Sequence, residues 1–267
     1  MEMGVRTWGG MNFYNEHDPK AAAWLRELIE RGCLPVGVVD ERSICDLTPS
    51  ELTGFTQCHF FAGIGGWSLA LELAGWSPDW PIWTGSCPCQ PFSAIGEGKG
   101  TDDERHLWPD WRWLIQQCQP PAIVGEQVAS KAGRDWLAGV FIDLAELGYS
   151  GGGADLCAAG VGAPHGRQRL FWVGDASGAG LEGHLRNVGA WPKSGWRVAG
   201  EARSIAPAGV PWDSFAALAC RDGKTRRIEC GTFPVAHGLP ANMGRLRGYG
   251  NAIVPQVAAE FIRAALM

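Results

Sequence analysis

An α/β fold around a mostly parallel sheet is what this sequence predicts, on three observations. Short apolar runs recur, each ending in an unusual loop. Segments of helical period lie between those runs. The chain has 267 residues, 46% of them hydrophobic and 19% charged, enough to bury one sizeable core with a small appendage.

The runs come in order. Gln57 to Phe61 lead into a glycine cluster, and Pro81 to Thr84 lead into Cys87-Pro88-Cys89. Ala122 to Val124 lead into Gly125-Glu126-Gln127, and Arg169 to Val173 lead into Gly174. Each reads as a strand of a doubly layered α/β sheet. Ahead of them, Asp18 and Pro19 read as an N-cap and first helical residue. Trp24, Leu25, Leu28 and Ile29 then share one face before Gly32, which predicts a helix over 19–31. Helical period returns over 68–74, 109–118 and 135–147, the last with Trp136, Leu137, Val140, Phe141 and Leu144 on one side. A final amphipathic helix is expected over 255–266.

From about Asp175 the texture changes to Gly, Ala, Pro, Trp and Arg without sustained periodicity. Residues 176–243 read either as a small loop-rich insert or as a disordered linker. Trp191, Trp196, Trp212 and Phe233 supply apolar anchors that favour the insert. The expected organisation is therefore a catalytic and cofactor-binding unit over 1–175, an insert over 176–243, and a returning motif and helix over 244–267.

Composition narrows the class. A formal net charge of −5 excludes a whole-surface basic field, so any nucleic-acid site must be a local patch. The nine cysteines are odd in number and form no CxxC pair, which argues against a disulfide framework and against a zinc site. Most are expected to be reduced and buried, and no metal is expected. No run approaches the roughly 18 apolar residues of a membrane span, and the first ten residues lack the regions of a signal peptide. A cytoplasmic protein is expected.

Four segments carry chemistry. In Phe61-Ala62-Gly63-Ile64-Gly65-Gly66 a strand runs into glycines and then a helix, where a backbone can approach a ligand closely; a ligand-free tight turn would look the same. Cys89 stands in a loop after a strand beside Pro88, where a nucleophile can be presented, although burial is the commoner fate of a cysteine. Glu126 ends an apolar strand. If buried, it would be a proton donor near neutral pH, and if exposed an ordinary strand-end acid. Arg167 and Arg169 alternate at the entry to a strand and so share a side, suited to phosphate or carbonyl recognition or simply to a solvated edge.

Taken in order with Gly250-Asn251-Ala252-Ile253-Val254-Pro255, these segments resemble the successive motifs of DNA cytosine-5 methyltransferases, including the small phage and prophage members. The resemblance covers residues 57–175 and 245–266. It implies a class I S-adenosylmethionine-dependent methyltransferase fold, a Rossmann-like sheet, with a target-recognition domain inserted before the last motif. It also implies double-stranded DNA as the partner, and a monomer is expected. Cys89 would add to carbon 6 of a flipped cytosine, and Glu126 would protonate ring nitrogen 3. Arg169 would hold the ring oxygen and Arg167 the nearby backbone. Phe61, Gly63, Ile64, Gly65, Gly66, Pro88, Asn251 and Ala252 would contact S-adenosylmethionine. On the DNA side, Gln90, Ser93, Lys99 and Arg105 belong to the catalytic loop. Arg221, Lys224, Arg226 and Arg227, read as a turn rich in cations, would read bases or phosphates.

Two departures stand out. The family's acid motif reads Glu-Asn-Val in most members, whereas here it is Glu126-Gln127-Val128, which leaves the packing of the neighbouring loop open. The gap between Gly66 and Cys89 holds one helix, where the usual order has two further strands bearing a ribose acid and an adenine Asp. Glu16, in Asn15-Glu16-His17-Asp18-Pro19, and Asp46, in Cys45-Asp46-Leu47-Thr48, resemble those motifs, with Asp40 as the fallback for Asp46. The chain then reads as circularly shifted in its cofactor half; a separate N-terminal extension is the alternative. The rival functions are an RNA (tRNA) cytosine-5 methyltransferase and a catalytically dead DNA-binding regulator of the same fold.

Overall fold

The structure is a computed structural model that describes residues 10–88, 107–176 and 252–266, with the backbone of 215–219 and 225–229. In chain order its main elements begin with β1 (Asn12–Asn15), α1 (Pro19–Glu30), β2 (Gly37–Asp40), β3 (Gln57–Phe60), α2 (Gly66–Ala74) and β4 (Ile82–Gly85). There follow α3 (Trp108–Cys118), β5 (Ala122–Val128), α4 (Lys131–Glu146), β6 (Ser150–Cys157) and β7 (Gln168–Asp175). Between β7 and the last helix lie β8 (Phe215–Ala219) and β9 (Thr225–Glu229), paired antiparallel, and last comes α5 (Pro255–Leu266).

The seven strands β1 to β7 form one sheet in the order β2-β1-β3-β4-β5-β7-β6. All neighbours are parallel from β2 through β5, and β7 runs antiparallel between β5 and β6. This is the class I methyltransferase architecture. β1 and β2 precede the glycine-turn strand in sequence yet extend the sheet beside it, with Asn15 opposite Phe60. The N-terminal segment is therefore part of the sheet rather than an extension beside it.

Two layers of helix cover the sheet. On one face Phe13, Phe60, Trp83 and Ile123 pack under Trp111, Leu114 and Ile115 of α3 and Leu137, Val140 and Leu144 of α4. On the other, Ile82, Val124, Phe171 and Val173 pack under Trp67 and Leu71 of α2 and Val257, Phe261 and Ile262 of α5. Leu25 of α1 meets Tyr14 and Leu34 on that same side. Fully burying one such side chain is worth about 1.5–3 kcal/mol, so the helical periods read from the sequence are the imprint of these two layers.

Helix starts follow the local chemistry. The Asp18 carboxylate accepts from Lys20 N at 2.8 Å and Ala21 N at 3.2 Å, which satisfies first-turn donors of α1. Ser130 accepts from Gly133 N at 3.0 Å, so α4 begins at Lys131, four residues before the periodicity becomes visible.

Three strands of the seven-stranded sheet escape pattern reading. β1 is bounded by asparagines, buried because they are satisfied: Asn15 Nδ2 donates to the carbonyl oxygens of Arg42 at 2.9 Å and Asp40 at 3.3 Å. β2 is too short and too exposed to alternate clearly. β6 opens with Ser150-Gly151-Gly152-Gly153, a composition that argues against a strand. The Phe141 ring lies so close to Gly151 that a Cβ there would stand 2.7 Å from it.

Candidate active site

Parallel strands deliver their carboxyl ends to one edge of the sheet, and ligands of open α/β sheets bind outside that edge. Glu16 follows β1, the Gly63–Gly66 turn follows β3, and Ser86 to Pro88 follow β4. Antiparallel β7 brings its starting end to the same edge, with Arg169 opposite Val128. Glu126 does not end its strand as expected; β5 continues to Val128, and the acid is buried two residues before that end.

The turn after β3 is shaped by backbone conformation. Phe61 adopts a φ of 51°, strained for an aromatic residue, and Gly63 and Gly65 also take positive φ. A pocket opens here, lined by Phe61, Ala62, Gly63, Ile64 and Gly66 on one side. Trp67, Ser86, Ala252 and Ile253 line the other. Where a Cβ of Gly63 would stand there is nothing within 4 Å, so the backbone faces open space that a ligand can approach. Gly65 is different: a Cβ there would meet Leu34 Cδ1 at 2.3 Å. Its smallness serves the packing of the turn on Leu34 and Leu25, and it does not line the pocket.

Glu16 meets this turn directly. Its Oε2 accepts from Gly63 N at 2.7 Å and its Oε1 from Asp18 N at 2.8 Å. Burial pushes its carboxyl pKa up, while these two N–H donors pull it back. Each oxygen keeps a lone pair free of those bonds, and a carboxylate of that kind can accept from a diol. A strained aromatic, an open glycine backbone and a fixed acid thus fit a nucleoside cofactor.

The second half of the site is an ion pair. Arg169 Nε lies 2.7 Å from Glu126 Oε1, with the two side chains 24% and 9% exposed. Burial pushes the Glu126 carboxyl pKa upward, opposed by the charges of Arg169 and Arg167 and by a hydrogen bond from Ser86. Arg167 Nη2 donates to the carbonyl oxygen of Ala252 at 2.9 Å and so ties the site to the segment before α5. Gln127, the departure from the family's usual Asn, donates through Nε2 to the carbonyl oxygen of Cys87 at 3.1 Å and accepts from Val128 N at 2.8 Å. The longer amide therefore still pins the loop that leads to Pro88.

The remaining assignments divide. Pro88 is exposed and is not a lining residue. Asp46 is exposed on a short 3-10 turn, Ile44–Asp46, away from the lining set, and the Asp40 carboxylate is bound by Arg42 Nη2 at 2.7 Å. Cys87 is buried, as are Cys58 and no other described cysteine; Cys33 and Cys45 are exposed, contrary to the expectation that most would be buried. Arg226 and Arg227 lie in a strand, opposite Leu218 and Ala217, rather than in a turn. Cys89, Gln90, Ser93, Lys99, Arg105, Arg221, Lys224 and Asn251 lie outside the described residues. Sequence reasoning missed Trp67 and Ser86, whose only signal was adjacency to the glycine turn and to the Cys-Pro-Cys segment. Among the described residues no group of side chains is arranged to hold a metal, and no helix is long and apolar enough to cross a membrane.

Residues 76–193 match the family model described as C-5 cytosine-specific DNA methylase. The type II methyltransferase M.NgoMIV of Neisseria gonorrhoeae is 28% identical over 179 residues, 52% of this chain and 55% of that protein. M.HhaI of Haemophilus parahaemolyticus is 28% identical over 167 residues, 48% of this chain and 51% of its own length. M.NlaX of Neisseria lactamica is 34% identical over 133 residues, covering 47% and 42%. The chain spans about half the length of the curated relatives it matches. Among solved structures, a mutant of Spodoptera frugiperda DNMT2 superposes with a TM-score of 0.41 at 16% identity, over 63% of this chain and 50% of that one. A putative DNA modification methyltransferase encoded within a prophage of E. coli gives 0.39 at 18% identity, over 63% and 47%.

Proposed function

We propose that this chain, which belongs to the C-5 cytosine-specific DNA methylase family, methylates carbon 5 of a cytosine flipped out of double-stranded DNA, acting as a monomer in the cytoplasm. The observation that carries this reading is the buried Glu126–Arg169 pair beside the glycine-turn pocket. Carbon 5 of cytosine is a poor nucleophile until electrons are pushed into the ring. The Cys89 thiolate adds to carbon 6, and Glu126 gives its proton to ring nitrogen 3, so that charge does not accumulate on the attacked base. Arg169 donates to the ring oxygen, and Arg167 holds the backbone near Ala252. A base takes the proton from carbon 5, Cys89 leaves as the thiolate, and the proton on ring nitrogen 3 returns to the Glu126 carboxylate, which restores the aromatic ring.

S-adenosylmethionine supplies an electrophilic methyl group. Glu16 would hold its ribose diol, Phe61 would stack on its adenine, and Gly63, Ile64 and Ala252 would border it. The flipped base costs a few kcal/mol of unstacking, which contacts of Gln90, Ser93, Lys99 and Arg105 with the DNA would offset. Base reading falls to Arg221, Lys224, Arg226 and Arg227.

Bisulfite sequencing of a plasmid from expressing cells tests the whole reading. Protected cytosines are expected in one short sequence context, and none with Cys89→Ala. Purified protein should form a denaturant-stable adduct with DNA bearing 5-fluorocytosine, retained by Cys87→Ala and lost in Cys89→Ala. An unprotected plasmid together with adduct formation by Cys89→Ala would overturn the assignment.

A further inference from the structure

Ser86 stands where the two halves of the site meet. It lines the glycine-turn pocket, and its Oγ accepts a hydrogen bond from Trp67 Nε1 at 3.1 Å. An indole N–H only donates, and a hydroxyl has one proton. The Ser86 proton is therefore directed away from Trp67, and the Glu126 carboxylate is its neighbour on the next strand, both residues standing one beyond the paired Gly85 and Gly125. Trp67 is itself held, 2% exposed and edge-on to Phe171 with ring centroids 6.1 Å apart. Phe171 is the residue directly opposite Glu126 on the neighbouring strand. Glu126 meets Arg169 at 2.7 Å, with Arg167 as the other nearby charge among the described residues.

We propose that Ser86 is a positioning residue that, through a one-way hydrogen-bond relay from the Trp67 indole, orients the Glu126 carboxyl group and tunes its hold on the proton. The inference rests on the reading of Glu126 as the acid that protonates the base. Arg169 pairs with the carboxyl group and Ser86 is placed to donate to it, two holds that limit its rotation out of the plane of an incoming ring. Because Trp67 and Ser86 also wall the pocket of the proposed cofactor, one pair of side chains aligns both halves of the site. Donation to the ionised carboxylate favours the charged form. Without it, Glu126 holds its proton to higher pH.

The test is a carboxyl titration by NMR on protein labelled with carbon-13 glutamate, without cofactor or DNA, with the Glu126 signal identified by its loss in Glu126→Gln. Ser86→Ala should raise the midpoint by about one pH unit, the size expected for one lost hydrogen bond to a charged group. Trp67→Phe should move it the same way by less, and Ser86→Thr should restore it. In the methyl-transfer assay the basic limb of the kcat profile should move upward with the Ser86→Ala midpoint. An unmoved midpoint in folded Ser86→Ala overturns the relay. If that variant does not fold, Ser86→Cys, a weaker donor of similar size, carries the same expectation and the same refutation. Full methyl transfer by Glu126→Gln would instead overturn the acid reading, while the titration would still decide whether Ser86 governs the carboxyl group.

Discussion

At the scale of single residues, the site works through polar groups that burial would penalise if they were left alone. Glu16 is held by two backbone N–H groups and aimed at the pocket's glycine turn. Losing a charge-assisted bond to a ribose diol costs about 1.5–3 kcal/mol, so Glu16→Ala should weaken S-adenosylmethionine binding roughly tenfold or more. Calorimetric titration checks this, with DNA affinity measured without cofactor expected to stay unchanged. His59 makes a different point. It lies buried between Tyr14, stacked at 4.9 Å, and Thr84, whose Oγ1 is 2.8 Å from its Nδ1. Burial pushes its pKa down to about 3 from 6.5. The unfolded chain then binds a proton below pH 6.5 that the folded chain refuses. Stability supplied by neutral His59 is complete above pH 6.5 and falls as pH drops toward 3, by up to about 1.4 kcal/mol per pH unit. Urea midpoints at pH 7, 6, 5 and 4 should show that slope, and His59→Gln should flatten it.

At the scale of elements, the clearest constraint lies between β5 and β7. Gly125 is opposite Trp172, and a Cβ on Gly125 would stand 2.1 Å from the indole Cε2. The ring covers the glycine and continues into a cluster with Trp111 and Trp108, at centroid distances of 5.8 and 6.1 Å. A flat ring in such a cluster cannot yield by turning one bond, so Gly125→Ala should destabilise by about 1–3 kcal/mol through overpacking. Denaturant unfolding followed by tryptophan fluorescence would show it, and Gly125→Ala with Trp172→Leu should recover part of the loss. An unchanged midpoint in Gly125→Ala would mean that the ring is free to withdraw. Gly125 looks like a loop residue in the sequence. It is a strand residue whose side-chain space is filled by its cross-strand partner.

At the scale of the whole molecule, the order of strands in space differs from their order along the chain. β1, α1 and β2 add to the edge of β3 through the parallel register from Asn12 opposite Gln57 to Asn15 opposite Phe60. Nothing in that register depends on which strand is made first. Moving residues 10–54 to the turn between α2 and β4, with short flexible linkers, should therefore yield a protein with the same circular dichroism and the same cofactor affinity within a few-fold. Loss of folding in several linker lengths would show that the present order is required. Removing the same residues should expose the edge of β3 and lead to association between copies.

Much of this was legible in one dimension. The glycine turn, the acid of β5 and the alternating arginines are local signals, because each answers a local demand of backbone geometry or strand period. The N-terminal half of the sheet left a local trace of the same kind: Glu16 and Asp18 stand just before a capped helix. What the tertiary structure alone decided is where burial falls. β1 and β6 are strands because asparagine amides find carbonyl partners and because Phe141 covers glycines, two effects that act between residues distant in sequence. Gly65 turned out to serve packing, and Asp46 to stand on an exposed turn, since motif context does not report which side of a loop meets the pocket. Trp67 of α2 and Ser86 after β4 lie 19 residues apart, and only the sheet brings their hydrogen bond beside the acid of β5.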